Sequence, residues 1–274
     1  MKQAARPLKL GLIGAGGIAH EVARAVRDGR IPSCDIVGIA AHEPASARSE
    51  ELASLTGAPL LTIEELLRRR PDCALEAAGA EAVHAFGPAV LAAGVDLIVM
   101  SIGALLDDAL RRSLEDARAD AELILPSGAI AGLDGVRAFA QSAAVTEARI
   151  TTTKPPRSLA GARYLLDHHI DLPADAAMTV FEGTAREAVK GFPRNINVSA
   201  ALSLAGIGPD RTIVKIVSDP AVTRSTHEIW VSGPAGELMV TARSHPLPTN
   251  PRTSALAAMS AILAVADARA RRNR

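Results

Sequence analysis

Three sets of residues have types and spacings suited to chemistry. The first is Gly14-Ala15-Gly16-Gly17-Ile18-Ala19, a G-x-G-x-x-A turn that follows the apolar run Leu8–Ile13 and opens a helical pattern. Gly14 permits the tight turn and Gly16 lets backbone approach a pyrophosphate. Ala19 keeps helix and sheet close, and the amides at the helix start, from Gly17 and Ile18, face phosphate with the positive end of the dipole. The chemistry implied is dinucleotide binding. The second is His227, in an alternating segment where Ser225, His227, Ile229 and Val231 share one face and Arg224, Thr226, Glu228 and Trp230 the other. A histidine on an apolar face is either a satisfied core residue or an acid/base. The third is Lys154, which ends the segment Thr151-Thr152-Thr153 and is stopped by Pro155-Pro156.

Short strands alternating with helices must carry the glycine turn. Leu8–Ile13 reads as a strand, and Ile18, Val22 and Val26 recur at helical spacing until Gly29. Further strands are expected at Ile36–Ala40, Cys73–Ala77, Val95–Met100 and Glu122–Leu125. Helices are expected over about 44–55, from the Thr62/Glu65 capping box to Arg70, over Glu81–Ala93 and over Leu106–Asp120. Such alternation implies a Rossmann-type, doubly wound parallel sheet covered on both faces, in the α/β class. Ser101 and Ser127 follow two of these strands, at the carboxyl edge where open α/β sheets bind ligands, as ligand contacts or as turn residues.

After Pro126 the pattern changes to the strands of a second, α+β domain with a mixed or antiparallel sheet: Val145–Thr153, Met178–Phe181, Thr212–Ser218, Thr223–Ser232 and Glu237–Ser244. Gly233-Pro234-Ala235-Gly236 reads as a hairpin connection, and a proline-containing loop (Pro246, Pro248, Pro251) precedes a helix over Thr253–Arg269. The expected domains are 1–126 plus 249–274, for the dinucleotide, and 127–248, for substrate, catalysis and dimerisation. An uncharged helix over Val198–Ala205 begins after Asn195, well typed as its N-cap, and its free amides suit a carboxylate or carboxamide of substrate or cofactor.

The 274 residues carry 30 basic and 30 acidic side chains, so no broad field favours nucleic acid or a membrane surface. Aromatic residues are 2%, too few for base-stacking platforms, and no apolar run reaches membrane-span length. Cys34 and Cys73 make neither a disulfide framework nor a zinc cluster, and the adjacent His168-His169 pair cannot chelate as an i, i+4 pair does, so no metal is expected. A cytoplasmic protein is the default. An NAD site usually carries an acid some 20 residues beyond the glycines; here Ile39-Ala40-Ala41-His42-Glu43 places Ala41 there. Without that carboxylate NADP is tolerated, with His42 or Arg48 near a 2′-phosphate, while Glu43 after a small shift would serve the ribose of NAD.

Several segments together resemble L-aspartate dehydrogenases: Gly11–Ala19, Val99–Leu105, Pro126–Asp134, Thr153–Pro156, Phe192–Val198, Ser218 to His227, and Asn250–Ser254. They span nearly the whole chain in family order; the serine-glycine-alanine loop, the Asn-Ile-Asn segment and the downstream histidine are the more specific. The resemblance implies NAD(P)-dependent oxidation of L-aspartate to iminoaspartate, which is passed toward NAD biosynthesis or hydrolysed to oxaloacetate and ammonia. It implies His227 as catalytic acid/base, Ala131 and Asn197 at the cofactor, and a homodimer. Ala41 is the departure, and it bears on cofactor preference.

Hydride leaves an amine-bearing carbon only when nitrogen can donate its lone pair, so a bound ammonium must first lose a proton, a task suited to histidine. With no net positive field, the two substrate carboxylates require local cations or donors, and Lys154 is the candidate, with Ser127 and Asn195 beside it as substrate contacts. Two rivals remain: another two-domain oxidoreductase, resembling dihydrodipicolinate reductase or homoserine dehydrogenase, and a sensor that binds NAD(P) without turnover.

Overall fold

In the computed structural model, which describes residues 6–142, 145–193 and 196–272, the first half alternates as expected. The elements are β1 (Leu8–Ile13), α1 (Gly17–Arg27), β2 (Cys34–Ala40), α2 (Ala47–Thr56), β3 (Leu60–Leu61), α3 (Ile63–Arg68) and β4 (Cys73–Glu76). Then follow α4 (Ala80–Ala92), β5 (Asp96–Val99), a 3-10 turn (Ile102–Leu106), α5 (Asp108–Ala117) and β6 (Leu123–Ile124). The strands pair in parallel in the order β3-β2-β1-β4-β5-β6. All four residues of β4 and of β5 are buried, the mark of a sheet covered on both faces. Strand order reverses between β1 and β4, so the carboxyl ends of these two strands form the topological switch point.

Local chemistry sets the helix starts. Ser46 caps α2 by accepting from the Ser49 amide at 3.3 Å. Thr62 and Glu65 form both bonds of the capping box that starts α3. Asp107 accepts from Ala109 N at 2.8 Å and so begins α5 two residues later than the periodicity alone suggests, the preceding residues being drawn into the 3-10 turn.

The second half contains α6 (Leu133–Ser142), β7 (Glu147–Lys154), α7 (Pro156–Leu159), α8 (Arg163–Asp167), β8 (Met178–Thr184), α9 (Ala185–Gly191), α10 (Asn197–Ala205), β9 (Thr212–Ser218), β10 (Ser225–Gly233) and β11 (Gly236–Ser244). The short strands β12 (Pro246–Leu247) and β13 (Asn250–Ser254) precede α11 (Ala255–Arg272). The main sheet has the order β11-β10-β7-β9-β8; β7 and β9 are parallel and the other neighbours antiparallel, a mixed sheet. Gly233 pairs with Gly236 across the expected hairpin connection. One face buries Ala148, Ile150, Thr152, Val214, Ile216, Ser218, His227, Ile229 and Val231. α10 packs against β7, β9, α6 and α9, which explains its lack of charge. The segment read as a proline loop is instead the β12–β13 pair, because Pro246 and Pro248 leave enough extended backbone for Leu247 to pair with Asn250.

The chain divides into two compact units, Met1–Pro126 with Ala258–Arg274, and Ser127–Ala257. Most of α11 therefore belongs with the parallel sheet.

Candidate active site

In the first unit the turn from β1 to α1 is shaped for close approach. Gly14 has φ +102°, and a Cβ there would lie 2.9 Å from the backbone of Ala77 and Ala78. At Gly16 a Cβ would meet Ala77 O at 3.3 Å. Gly16 occupies the N-cap of α1 with no side-chain cap, so the amides of Gly17 and Ile18 begin a helix whose N-terminal end can receive an anion. A cradle that a Cβ would fill, beside an uncapped helix end, fits a pyrophosphate. Beyond β2, Ala41 is half-buried and His42, Glu43 and Arg48 are exposed.

A buried acid that belongs to no sequence motif lies at the same edge. Glu76, 1% exposed, ends β4. Its Oε1 accepts from Ala78 N, Gly79 N and Ser101 Oγ, each at 2.8 Å, and its Oε2 from Ser101 N at 3.0 Å. Ser101 therefore directs both its amide and its hydroxyl proton at Glu76. Period alone could not separate Glu76 from a solvent-facing strand residue.

In the second unit the buried sheet face becomes polar at one end. His227 stands opposite Thr152 in the β10–β7 register, and its Nδ1 lies 3.0 Å from Thr152 Oγ1. Both side chains are buried. Lys154 is two residues beyond Thr152 on the same face and stands opposite Ser218 in β9. Ser218 is buried, and its hydroxyl has no hydrogen-bond partner among the described residues. Burial, and then the charge of Lys154, push the His227 imidazole down to about 3, so it is neutral near pH 7. Lys154 is half-buried as a residue, yet its surroundings are dense enough that desolvation lowers its amine to about 8. A neutral imidazole oriented by a hydroxyl, beside a destabilised cation, can accept a proton and bind an anion.

The other expected residues are placed as follows. Asn197 is the first residue of α10 and half-buried, and the capping position before it is Ile196, with no side-chain cap. This corrects the reading of Asn195 as the N-cap; Asn195 itself lies outside the described residues. Ser127 is half-buried and Ala131 exposed, both in the connection that leads into α6. His168 is stacked on Tyr164 at 4.0 Å and bonded to its carbonyl, a packing role. Among the described residues no group of three or more His, Cys, Asp or Glu is arranged to hold a metal ion, and no helix is long and apolar enough to cross a membrane.

Comparison with known proteins matches the two halves separately and the chain as a whole. Residues 14–125 match the family described as homoserine dehydrogenase, NAD binding domain, and residues 134–268 the family described as aspartate dehydrogenase, C-terminal. The chain is 40% identical over 263 residues to an L-aspartate dehydrogenase of Methanosarcina mazei, covering 93% of this chain and 94% of that protein. It is also 40% identical over 261 residues to one of Serratia proteamaculans, covering 93% and 95%. Among solved structures it resembles the aspartate dehydrogenase of Thermotoga maritima, with TM-score 0.69, 24% identity and coverage of 94% and 93% of the two chains, a likeness of fold.

Proposed function

The chain belongs to the L-aspartate dehydrogenase family and is an NAD(P)-dependent oxidoreductase of that activity; we propose that His227 is its catalytic acid/base, Lys154 its anchor for a substrate carboxylate, and the glycine turn its phosphate cradle. The observation that carries this reading is the buried His227–Thr152 pair beside Lys154, at the polar end of a largely aliphatic sheet face. The match of residues 134–268 favours aspartate over the homoserine dehydrogenase alternative, whose likeness is confined to the cofactor-binding half.

A bound nicotinamide dinucleotide supplies the hydride acceptor. Gly14 and Gly16 admit its pyrophosphate, and the amides of Gly17 and Ile18 hold it. Asn197 and Ala131 are assigned to the cofactor by the family resemblance, and the half-buried helix-start position of Asn197 suits a directional amide contact.

Lys154 takes one substrate carboxylate, and Ser127 a second contact. His227 with its proton on Nδ1 donates to Thr152 Oγ1 and leaves Nε2 as acceptor. An imidazole held near 3, chiefly by burial, is a weak base, and a carboxylate settling on Lys154 offsets the smaller depression that comes from that cation. Nε2 then removes a proton from the substrate ammonium. The freed lone pair forms the C=N bond as the Cα–H bond breaks and its electron pair leaves with the hydrogen as hydride to the bound acceptor, giving iminoaspartate in its protonated, iminium form. Water adds to that imine to give oxaloacetate and ammonia.

Both NAD and NADP are accepted on this reading, because no carboxylate stands at Ala41 to repel a 2′-phosphate and His42 and Arg48 are exposed nearby in sequence. The family resemblance supports a homodimer. The test is a steady-state assay of purified protein with L-aspartate, L-homoserine and other amino acids, each with both cofactors. Aspartate-dependent reduction, and NADH consumption that needs oxaloacetate and ammonia together, are expected. Cofactor binding without either reaction refutes the proposal.

A further inference from the structure

Glu76 belongs to none of the roles above, yet it is the most fully engaged carboxylate at the switch point. We propose that Glu76 is a positioning residue for the dinucleotide, fixing the turns at the carboxyl ends of β1, β4 and β5 with a single buried side chain. The inference rests on the reading that the cofactor lies along this edge.

The geometry runs outward from one carboxylate. Ala78 N and Gly79 N donate to Oε1, which ties down the turn that starts α4. Ser101 donates from both backbone and hydroxyl, which ties down the start of the 3-10 turn after β5. The backbone between Glu76 and Gly79 is in turn the wall of the glycine turn. Ala77 N donates to Ile13 O at 2.9 Å, and Ala77 and Ala78 are the atoms that a Cβ on Gly14 would strike. A shift of the 77–79 segment therefore moves the wall beside Gly14 and Gly16 directly.

The chemistry requires a carboxylate. Among the described residues every hydrogen-bond partner of Glu76 is a donor, and three of the four are backbone amides that cannot reverse their role. A glutamine of the same size would turn an NH2 group against one of these donors and leave it buried and unpaired. An aspartate would fall one methylene short of both turns. The 1% exposure means that water cannot replace a lost bond without a local opening. Twenty-five residues separate Glu76 from Ser101, so the contact exists only because β4 and β5 pair, with Glu76 beside Val99.

The experiment compares full-length wild type, Glu76→Gln, Ser101→Ala and Gly16→Val. NADH affinity is measured by fluorescence titration, below the unfolding midpoint of each protein. Amide hydrogen exchange at Ala78, Gly79 and Ser101 is followed in the free protein. Glu76→Gln is expected to weaken NADH binding about tenfold and to accelerate exchange at all three amides. Ser101→Ala keeps the carboxylate and the Ser101 amide bond, and is expected to weaken binding about threefold. Gly16→Val tests the underlying reading and is expected to abolish binding. A folded Glu76→Gln protein that binds NADH like wild type while Gly16→Val does not overturns the positioning role alone. If Glu76→Gln does not fold, unchanged NADH affinity and unchanged exchange in Ser101→Ala overturn it. If Gly16→Val also binds normally, the cofactor does not lie on this edge and both readings fail.

Discussion

Replacing Lys154 by methionine separates stability from function in opposite directions. Burial lowers the amine from 10.5 to about 8, which corresponds to a penalty of at most about 3 kcal/mol on the ionised form, an upper bound because the residue is only half-buried. At pH 7 the lysine is charged in both folded and unfolded chains, so the native protein carries this penalty and Lys154→Met removes it. The expected result is a substrate-free variant more stable by about 1–3 kcal/mol, an increase in melting temperature of about 3–10 °C. The sign is checked by pH. Between about 8 and 10.5 the unfolded chain binds the proton and the folded chain does not, so wild-type stability rises with pH and the gap to Lys154→Met closes. The same variant is expected to raise KM for L-aspartate by at least about tenfold and to raise the apparent pKa of His227 in an imidazole NMR titration, since the Lys154 charge contributes to its depression. Thermal melts at pH 7 and pH 10.5, paired with kinetics, make the test. A variant less stable than wild type at pH 7, or a gap that does not narrow with pH, refutes the claim that Lys154 is a destabilised cation kept for an anionic ligand.

His227→Ala is expected to lower turnover by about 10²–10⁴-fold with NADH affinity nearly unchanged; equal loss of both in parallel kinetic and titration experiments assigns His227 to the fold alone. Ala41→Asp is expected to shift the NADP-to-NAD ratio of kcat/KM toward NAD by about tenfold or more, by repulsion of a 2′-phosphate. A ratio that does not move places residue 41 away from the ribose.

The limits of sequence reading follow from what each signal encodes. Period and turn chemistry act over a few residues, so Gly14 and Gly16, the Thr62–Glu65 capping box and the inward face of His227 are all evident along the chain and hold in the fold. The same signals run out at β3, two residues long, which has no period to detect and exists because a neighbouring strand supplies partners. The sequence expectations also include no helix over Leu133–Ser142, where α6 buries Leu133 and Val136.

Alone, the sequence determined that a glycine turn would open a helix beside a parallel sheet, and that His227 would point inward with aliphatic neighbours. Those are properties of backbone sterics and of residue period, complete within a short window. Only the tertiary structure decided that Thr152 meets His227 from 75 residues away, that Lys154 stands by Ser218, and that Glu76 gathers donors from two turns. Strand order and register create these meetings, and they depend on which distant surfaces bury each other best. No local pattern contains that choice, and the chemistry of the site rests on it.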